Sequence, residues 1–212
     1  MDFLDPAITA YVERHTSPES ELLRTINRDT YAHVMAPRML SGHLQGRVLA
    51  MISHMIRPLS ILEIGTYTGY SAICLAEGLQ PGGRLVTIDI NEELEDRVRK
   101  NFHDAGLNDR IDYRIGDAVG ILPTLAVKFD LVFIDADKEN YSNYFELVID
   151  KVNLNGFILA DNALWSGKVL DENPDKDTGA IHAFNQKVQD DPRVENVLLP
   201  VRDGIMLVRR VS

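Results

Sequence analysis

Phe129-Asp-Leu-Val-Phe-Ile134 runs directly into Asp135-Ala-Asp-Lys138, and Phe157-Ile-Leu-Ala160 runs directly into Asp161-Asn162. Short apolar runs of this kind read as strands of a parallel sheet buried on both faces. In an open α/β sheet, ligands bind outside the carboxyl ends of the strands. Two such ends offer Asp135, Asp161 and Asn162 as hard oxygen ligands for Mg²⁺ or a similar cation, with Lys138 beside them as a proton acceptor. A plainer reading makes Asp135 and Asp137 solvated helix caps, Asp161-Asn162 a turn, and Lys138 a surface lysine paired with Asp135. The coincidence of two acidic strand ends with that lysine favours the site.

Outward from these runs, strand and helix signals alternate from Ser60 onward. Strands are expected at residues 60–64, 84–88, 111–115, 131–134, 156–160, 194–200 and 204–209, with helices starting near Gly69, Glu92, Ala118, Tyr141 and Thr178. Such alternation implies an α/β fold, a parallel sheet with helices on both faces. The last two strands are separated only by Val201-Arg-Asp-Gly204. So short a link makes a hairpin and turns one end strand antiparallel. Residues 1–57 read as helical. Ser17-Pro-Glu-Ser-Glu21 opens one helix with a Ser cap and Pro in the first turn. Between Gly42 and Ile56, Leu44, Val48, Leu49, Ile52 and Ile56 form an apolar stripe at helical spacing.

The first strand leads into Glu63-Ile-Gly-Thr-Tyr-Thr-Gly69. Gly65 and Gly69 permit a tight turn and let a ligand lie against bare backbone, at the positive end of the next helix. The spacing is not the G-x-G-x-x-G that cradles a pyrophosphate, and acidic Glu63 suits a ligand carrying a cationic amine. A structural turn alone is the other reading. Asp89 ends the second strand about 20 residues later, where an acidic side chain accepts both hydrogen bonds of a ribose diol. Gly116-Asp-Ala118 ends the third strand, as the border of an adenine ring or as a turn with a helix N-cap.

With 212 residues, 45% of them hydrophobic and 25% charged, the chain has the length and composition of one soluble α/β domain. A net charge of −10 disfavours bulk attraction to nucleic acid. Cys74 is the one cysteine, so no internal disulfide forms and a reducing cytoplasm is the expected setting. Cys74 is read as packed rather than reactive. Met1-Asp-Phe-Leu-Asp-Pro6 lacks the basic start and apolar core of a signal peptide. No run approaches the roughly 20 apolar residues of a membrane helix. The histidines, four of them at 15, 33, 43 and 54, show no zinc spacing.

Beyond these readings, the chain resembles the cation-dependent O-methyltransferases among the class I S-adenosylmethionine-dependent methyltransferases. That group includes catechol O-methyltransferase and, more closely, caffeoyl-CoA O-methyltransferase and its bacterial relatives. The resemblance is carried by Leu62-Glu-Ile-Gly-Thr-Tyr-Thr-Gly-Tyr-Ser71, Phe133-Ile-Asp-Ala-Asp-Lys-Glu-Asn-Tyr141, Asp161-Asn-Ala-Leu-Trp-Ser-Gly-Lys-Val169 and Asp203-Gly-Ile-Met-Leu-Val-Arg-Arg210. It extends from about Met39 to the C-terminus. It implies a Rossmann-like, mostly parallel seven-stranded sheet whose last strands form an antiparallel hairpin. It also implies a single domain over 1–212, with helices in 1–57 contributing to the cofactor and acceptor site and a core over 58–212. Glu63, Gly65, Tyr67, Ser71, Asp89, Ala118 and Asp135 match cofactor-binding positions, Asp89 holding the ribose. Met39 and Ser41 match positions that close over the methionine end of S-adenosylmethionine. Asp135, Asp161 and Asn162 match metal ligands for Mg²⁺, with Mn²⁺ or Ca²⁺ as alternatives. Lys138 matches the catalytic base and contacts substrate. Trp165 matches a position lining the acceptor pocket, or else covers apolar surface. A homodimer, formed through the N-terminal helices, is implied as well.

The leading expectation is therefore metal-dependent O-methylation of a vicinal diphenol or related small hydroxylated aromatic. Residues 1–57 and the loop 167–178 carry no recognisable acceptor signature. The same chemistry on a tRNA 5-hydroxyuridine is an alternative, resting on Arg14, Arg24, Arg28, Arg38, Arg47 and Arg57 as a phosphate-binding face. A nicotinamide dehydrogenase is disfavoured by the glycine spacing and the acidic strand ends. A non-catalytic cofactor-binding protein is disfavoured by retention of the catalytic positions.

Overall fold

A computed structural model describes residues 5–212. The expected helical reading of residues 1–4 lies outside the described residues. Among the described residues, seven strands form a mixed, mostly parallel sheet in an α/β fold. The chain divides into two compact units, one of Pro6–Asp117 and one containing Ala118–Ser212.

In the first unit, helices α1 (Pro6–Arg14), α2 (Glu21–His33) and α3 (Gly42–Ile56) precede β1 (Ser60–Ile64). The α2 cap is Ser20, whose hydroxyl accepts from the Leu23 amide at 3.2 Å, not Ser17 as expected. The carbonyl of Ser17 instead accepts from His43 Nε2 at 2.8 Å. The buried face of α3 also differs from the expected stripe. It consists of Gln45, Gly46, Leu49, Ala50 and Ser53, and only Leu49 belongs to both sets. Small side chains explain the rotation, because they bring α3 close to α4 (Tyr70–Ala76). A Cβ on Gly46 would lie 2.7 Å from Tyr70 Cε1 and 2.9 Å from Cys74 Sγ. Ser53 Oγ donates to the Leu75 carbonyl at 2.6 Å.

The strands β1, β2 (Arg84–Asp89) and β3 (Ile111–Ile115) pair in parallel, β2 in the middle. The last four residues of β1 and the middle four of β2 are buried, which is why their apolar content is continuous rather than alternating. Helix α5 (Glu95–Asp104) connects β2 to β3.

The second unit begins with the short helix α6 (Ala118–Ile121), then β4 (Phe129–Ile134), α7 (Tyr141–Ile149) and β5 (Val152–Ala160). Strands β4 and β5 are parallel, with Ile134 opposite Ala160. Thus the two quoted acidic segments leave adjacent strands at the same end. Strand β5 starts four residues before the expected Gly156. A register shift on β4 between Phe129 and Leu131, with Asn155 at φ 64°, absorbs the extra residues. Helix α8 (Lys176–Asp190) leads to β6 (Val194–Leu199) and β7 (Ile205–Arg210), an antiparallel hairpin whose β7 runs antiparallel to β5. Among the described residues, no helix is long and apolar enough to cross a membrane.

Candidate active site

The first unit builds a polar cradle at the carboxyl ends of β1 and β2. One carboxylate oxygen of Asp89, Oδ2, accepts from the backbone amides of Thr66 at 2.9 Å and Tyr67 at 2.7 Å. Its other oxygen, Oδ1, accepts from the Asn91 amide at 2.9 Å. Asp89 therefore shapes the glycine turn from the neighbouring strand, a role the sequence reading did not give it. The turn is left-handed at Gly65, Tyr67 and Gly69, with φ 99°, 51° and 82°. Glycine is required at 69 for space as well, since a Cβ would lie 2.7 Å from Phe102 Cε1.

Beneath the turn, fully buried Glu63 accepts from Thr87 Oγ1 at 2.5 Å, and Thr87 Oγ1 lies 2.6 Å from Thr66 Oγ1. The Tyr67 hydroxyl donates to the Met35 carbonyl at 2.9 Å, tethering the segment that carries Met39 and Ser41. Burial, then the nearby Tyr31, pushes the Tyr67 phenol above its ordinary range. Ser41 and Ser71 are buried, whereas the Met39 side chain is mostly exposed. Glu63 in β1, Gly65 and Tyr67 in the turn, Ser71 in the first turn of α4 and Asp89 at the end of β2 thus flank one strand-to-helix connection. Ala118 is buried in the second unit, where it opens α6.

In the second unit, Lys138 Nζ donates to Asp135 Oδ1 at 3.1 Å and to the Tyr141 hydroxyl at 2.8 Å. It lies 4.8 Å from the Tyr141 ring centroid and 5.7 Å from that of Trp165. Only 12% of the Lys138 side chain is exposed, so it is no ordinary surface lysine, although it does pair with Asp135. Tyr141 is buried. Desolvation first, then the charges of Asp135, Asp161 and Asp137, hold its phenol well above the usual tyrosine range. Asp135 and Asp161 each follow one of a facing pair of residues, Ile134 and Ala160, at the ends of adjacent parallel strands. Asp137 serves the local backbone instead, accepting from Asn140 Nδ2 at 2.6 Å and from the Tyr144 hydroxyl.

Asp161 is buried, its amide bonded to the Ile134 carbonyl at 3.0 Å. Asn162 has φ 57°, a left-handed conformation that asparagine tolerates better than most residues. Its Nδ2 donates to Asp203 Oδ2 at 3.3 Å. Trp165, Ser166 and Gly167 follow at φ 46°, 54° and 81°. Non-glycine residues seldom occupy this region, and such strain clusters at functional sites. Trp165 Nε1 is buried and makes no hydrogen bond among the described residues. Tyr141 and Asp203 were given no role by the sequence reading. The position of Tyr141, three residues after the lysine, was the available signal for the first. The place of Asp203 at the head of Asp203-Gly-Ile-Met206, one of the segments that carry the resemblance, was the signal for the second.

The profile of the O-methyltransferase family matches residues 13–211. The chain belongs to this O-methyltransferase family. It is an enzyme of the methyl-transfer class. This O-methyltransferase is 36% identical over 217 residues to a caffeoyl-CoA O-methyltransferase of Mesembryanthemum crystallinum, covering 96% of this chain and 84% of that one. Among solved structures, it superimposes on an O-methyltransferase from Bacillus cereus in complex with SAH, with a TM-score of 0.89, 32% identity, and coverage of 96% and 97%. The SAH-bound methyltransferase PaMTH1 of Podospora anserina gives a TM-score of 0.90 at 29% identity, covering 97% of this chain and 94% of that one. These likenesses carry the Rossmann-like fold of the O-methyltransferase across nearly its whole length.

Proposed function

We propose that this O-methyltransferase uses S-adenosylmethionine and a divalent cation, Mg²⁺ first, to methylate a hydroxyl of a small vicinal diphenol or related aromatic. The observation that carries the reading is that β4 and β5 end side by side, Ile134 opposite Ala160, so that Asp135 with Lys138 and Tyr141 leaves one strand and buried Asp161 with Asn162 leaves the next. The donor set fits a hard cation. It comprises two carboxylates, Asp135 and Asp161, and the Asn162 amide, whose nitrogen is turned to Asp203 so that its oxygen lies on the other branch. The SAH-bound relatives support the cofactor, and the caffeoyl-CoA O-methyltransferases support an aromatic acceptor.

When bound, S-adenosylmethionine supplies an electrophilic methyl group, and the cation stabilises the acceptor oxyanion as a Lewis acid. The chain's own residues do the rest. Asp89 orders the amides of Thr66 and Tyr67 with Oδ2 and offers Oδ1, which accepts from one amide only, to the ribose. Met39 and Ser41, carried on the segment tethered by Tyr67, cover the methionine end. Asp135 and Tyr141 hold Lys138 Nζ in place. In its unprotonated form, Nζ receives the proton of the acceptor hydroxyl. Trp165 offers a ring face and an N–H to the acceptor.

A transfer assay with labelled S-adenosylmethionine, a catechol panel and EDTA tests the reading. Product must require both the diphenol and the cation, and must be lost in Lys138→Ala. Undiminished transfer after complete chelation refutes it. For the tRNA reading, Arg24 and Arg47 are already engaged by Glu21 and Glu77, which weakens a phosphate-binding face. We extend the proposal to one cytoplasmic domain that forms a homodimer. Exposed Met51 and Met55 on α3 support self-association, which sedimentation at micromolar concentration checks.

A further inference from the structure

The hairpin between β6 and β7 reaches into the loop that follows β5, and one side chain makes the decisive contact. Asp203 Oδ1 accepts from the Ser166 backbone amide, and Asp203 Oδ2 accepts from Asn162 Nδ2 at 3.3 Å. The hairpin backbone is clamped in the same place. The Leu164 amide donates to the Asp203 carbonyl at 2.9 Å, and the Ala163 amide donates to the Gly204 carbonyl at 3.0 Å. Gly204 has φ 85°, and a Cβ there would lie 2.5 Å from Leu164 Cγ, so the two loops meet at closest approach.

An ionised carboxylate has acceptors only. Ser166 N–H can only donate, so one Asp203 oxygen is committed to it. The other demands a donor from Asn162, whose amide has two distinguishable ends. The nitrogen must face Asp203. A flipped amide would set its oxygen against a carboxylate oxygen at hydrogen-bond distance, which is repulsive. We propose that Asp203 is a positioning residue that fixes the Asn162 amide with its oxygen presented to the divalent cation. It also pins Ser166, and with it the left-handed run that carries Trp165. This inference rests on the proposed metal reading, because it assigns the cause of one ligand's orientation.

The exchange of charge between the two positions tests it. In Asp203→Asn, the new side chain keeps its oxygen on Ser166 N–H and turns its nitrogen toward residue 162. Asn162 then answers with its oxygen and presents nitrogen, a donor, to the cation. In the double variant Asp203→Asn/Asn162→Asp, one carboxylate oxygen at position 162 accepts from the amide introduced at position 203, and the other faces the cation. The probe is Mn²⁺, titrated into the full chain and followed by electron paramagnetic resonance, with thermal unfolding recorded alongside. Removing a partner that orients a metal ligand typically costs about 10–100-fold in metal affinity. A loss of that size is expected in Asp203→Asn, with most of it restored in the double variant. If the native chain binds Mn²⁺ and Asp203→Asn binds it as tightly, the inference is overturned while the metal reading stands. A native chain that does not bind Mn²⁺ at all overturns both. A lowered melting temperature with unchanged Mn²⁺ affinity marks a purely structural role and also overturns it. Should Asp203→Asn fail to fold, the double variant alone decides, and affinity well below native refutes the exchange.

Discussion

Gly69→Ala adds one methyl group to the glycine turn, and its cost can be worked from two separate geometric facts. Residue 69 has φ 82°, a left-handed backbone. Holding an alanine there costs roughly 1–2 kcal/mol. The new Cβ would also lie 2.7 Å from Phe102 Cε1 and 3.0 Å from Cζ. Optimal carbon contacts lie near 3.5–4.0 Å, so the buried Phe102 ring must move by about 1 Å. Overpacking of that kind costs roughly 1–3 kcal/mol. The sum is about 2–5 kcal/mol, which for a chain of this size lowers the melting temperature by roughly 4–20 °C. Chemical denaturation of Gly69→Ala, Phe102→Leu and the double variant separates the two causes. Removing ring bulk should recover the steric share and leave the backbone share, giving a favourable coupling between the sites. SAH titration by calorimetry should show weaker binding in Gly69→Ala, because the turn it distorts carries the Thr66 and Tyr67 amides held by Asp89. A stability change below about 0.5 kcal/mol, the scale of ordinary surface substitutions, would refute the reasoning. Absence of coupling to Phe102 would refute its steric half.

Asp89→Asn should lower stability by roughly 1.5–3 kcal/mol, the worth of a hydrogen bond to a charged group, because an amide cannot accept on both of its ends; SAH affinity should fall with it, and unchanged affinity would sever Asp89 from the cofactor. Burial pushes the Cys74 thiol up to about 12, against nearby Arg47, which pulls it down. Since the raised value favours the neutral thiol in the folded state, that contribution is complete below pH 9 and is lost as pH rises through about 12; a disulfide reagent should label Cys74 at pH 8 only after denaturant is added. Asp175 caps α8, and its carboxyl is held down at about 2 by hydrogen bonding from Thr178, whose amide donates to it at 2.8 Å, then by Lys168. A depressed value contributes stability above 3.8 that disappears as pH falls through about 2, so the stability gap between Asp175→Ala and the native chain should close over that interval.

Much of this molecule was written in local pattern. The runs at 129–134 and 157–160 are apolar without alternation because parallel strands are covered on both faces, and that signal survives at any position in the chain. The glycine turn, the strand end at Asp89 and the hairpin link at 201–204 were equally local, since each depends on a few neighbouring dihedral angles. Strand β5 shows where that legibility stops: its first four residues, ending in left-handed Asn155, escaped notice because pairing with β4 can shift register without any change in composition. Helix α3 shows it again. Its most apolar stripe is not its buried face, because close packing on α4 selects small side chains such as Gly46 and Ser53 over large ones.

From residue order alone came the alternating architecture and the identity of the acidic strand ends with their lysine, since periodicity and chemical type are properties of neighbours along the chain. Tertiary structure alone decided that Tyr141 receives Lys138, that Asp137 turns away to Tyr144 and Asn140, and that Asp203 accepts a hydrogen bond from an amide 41 positions before it. Hydrogen bonds and burial act through space over a few ångströms, and only the folded chain sets which distant residues come within that reach.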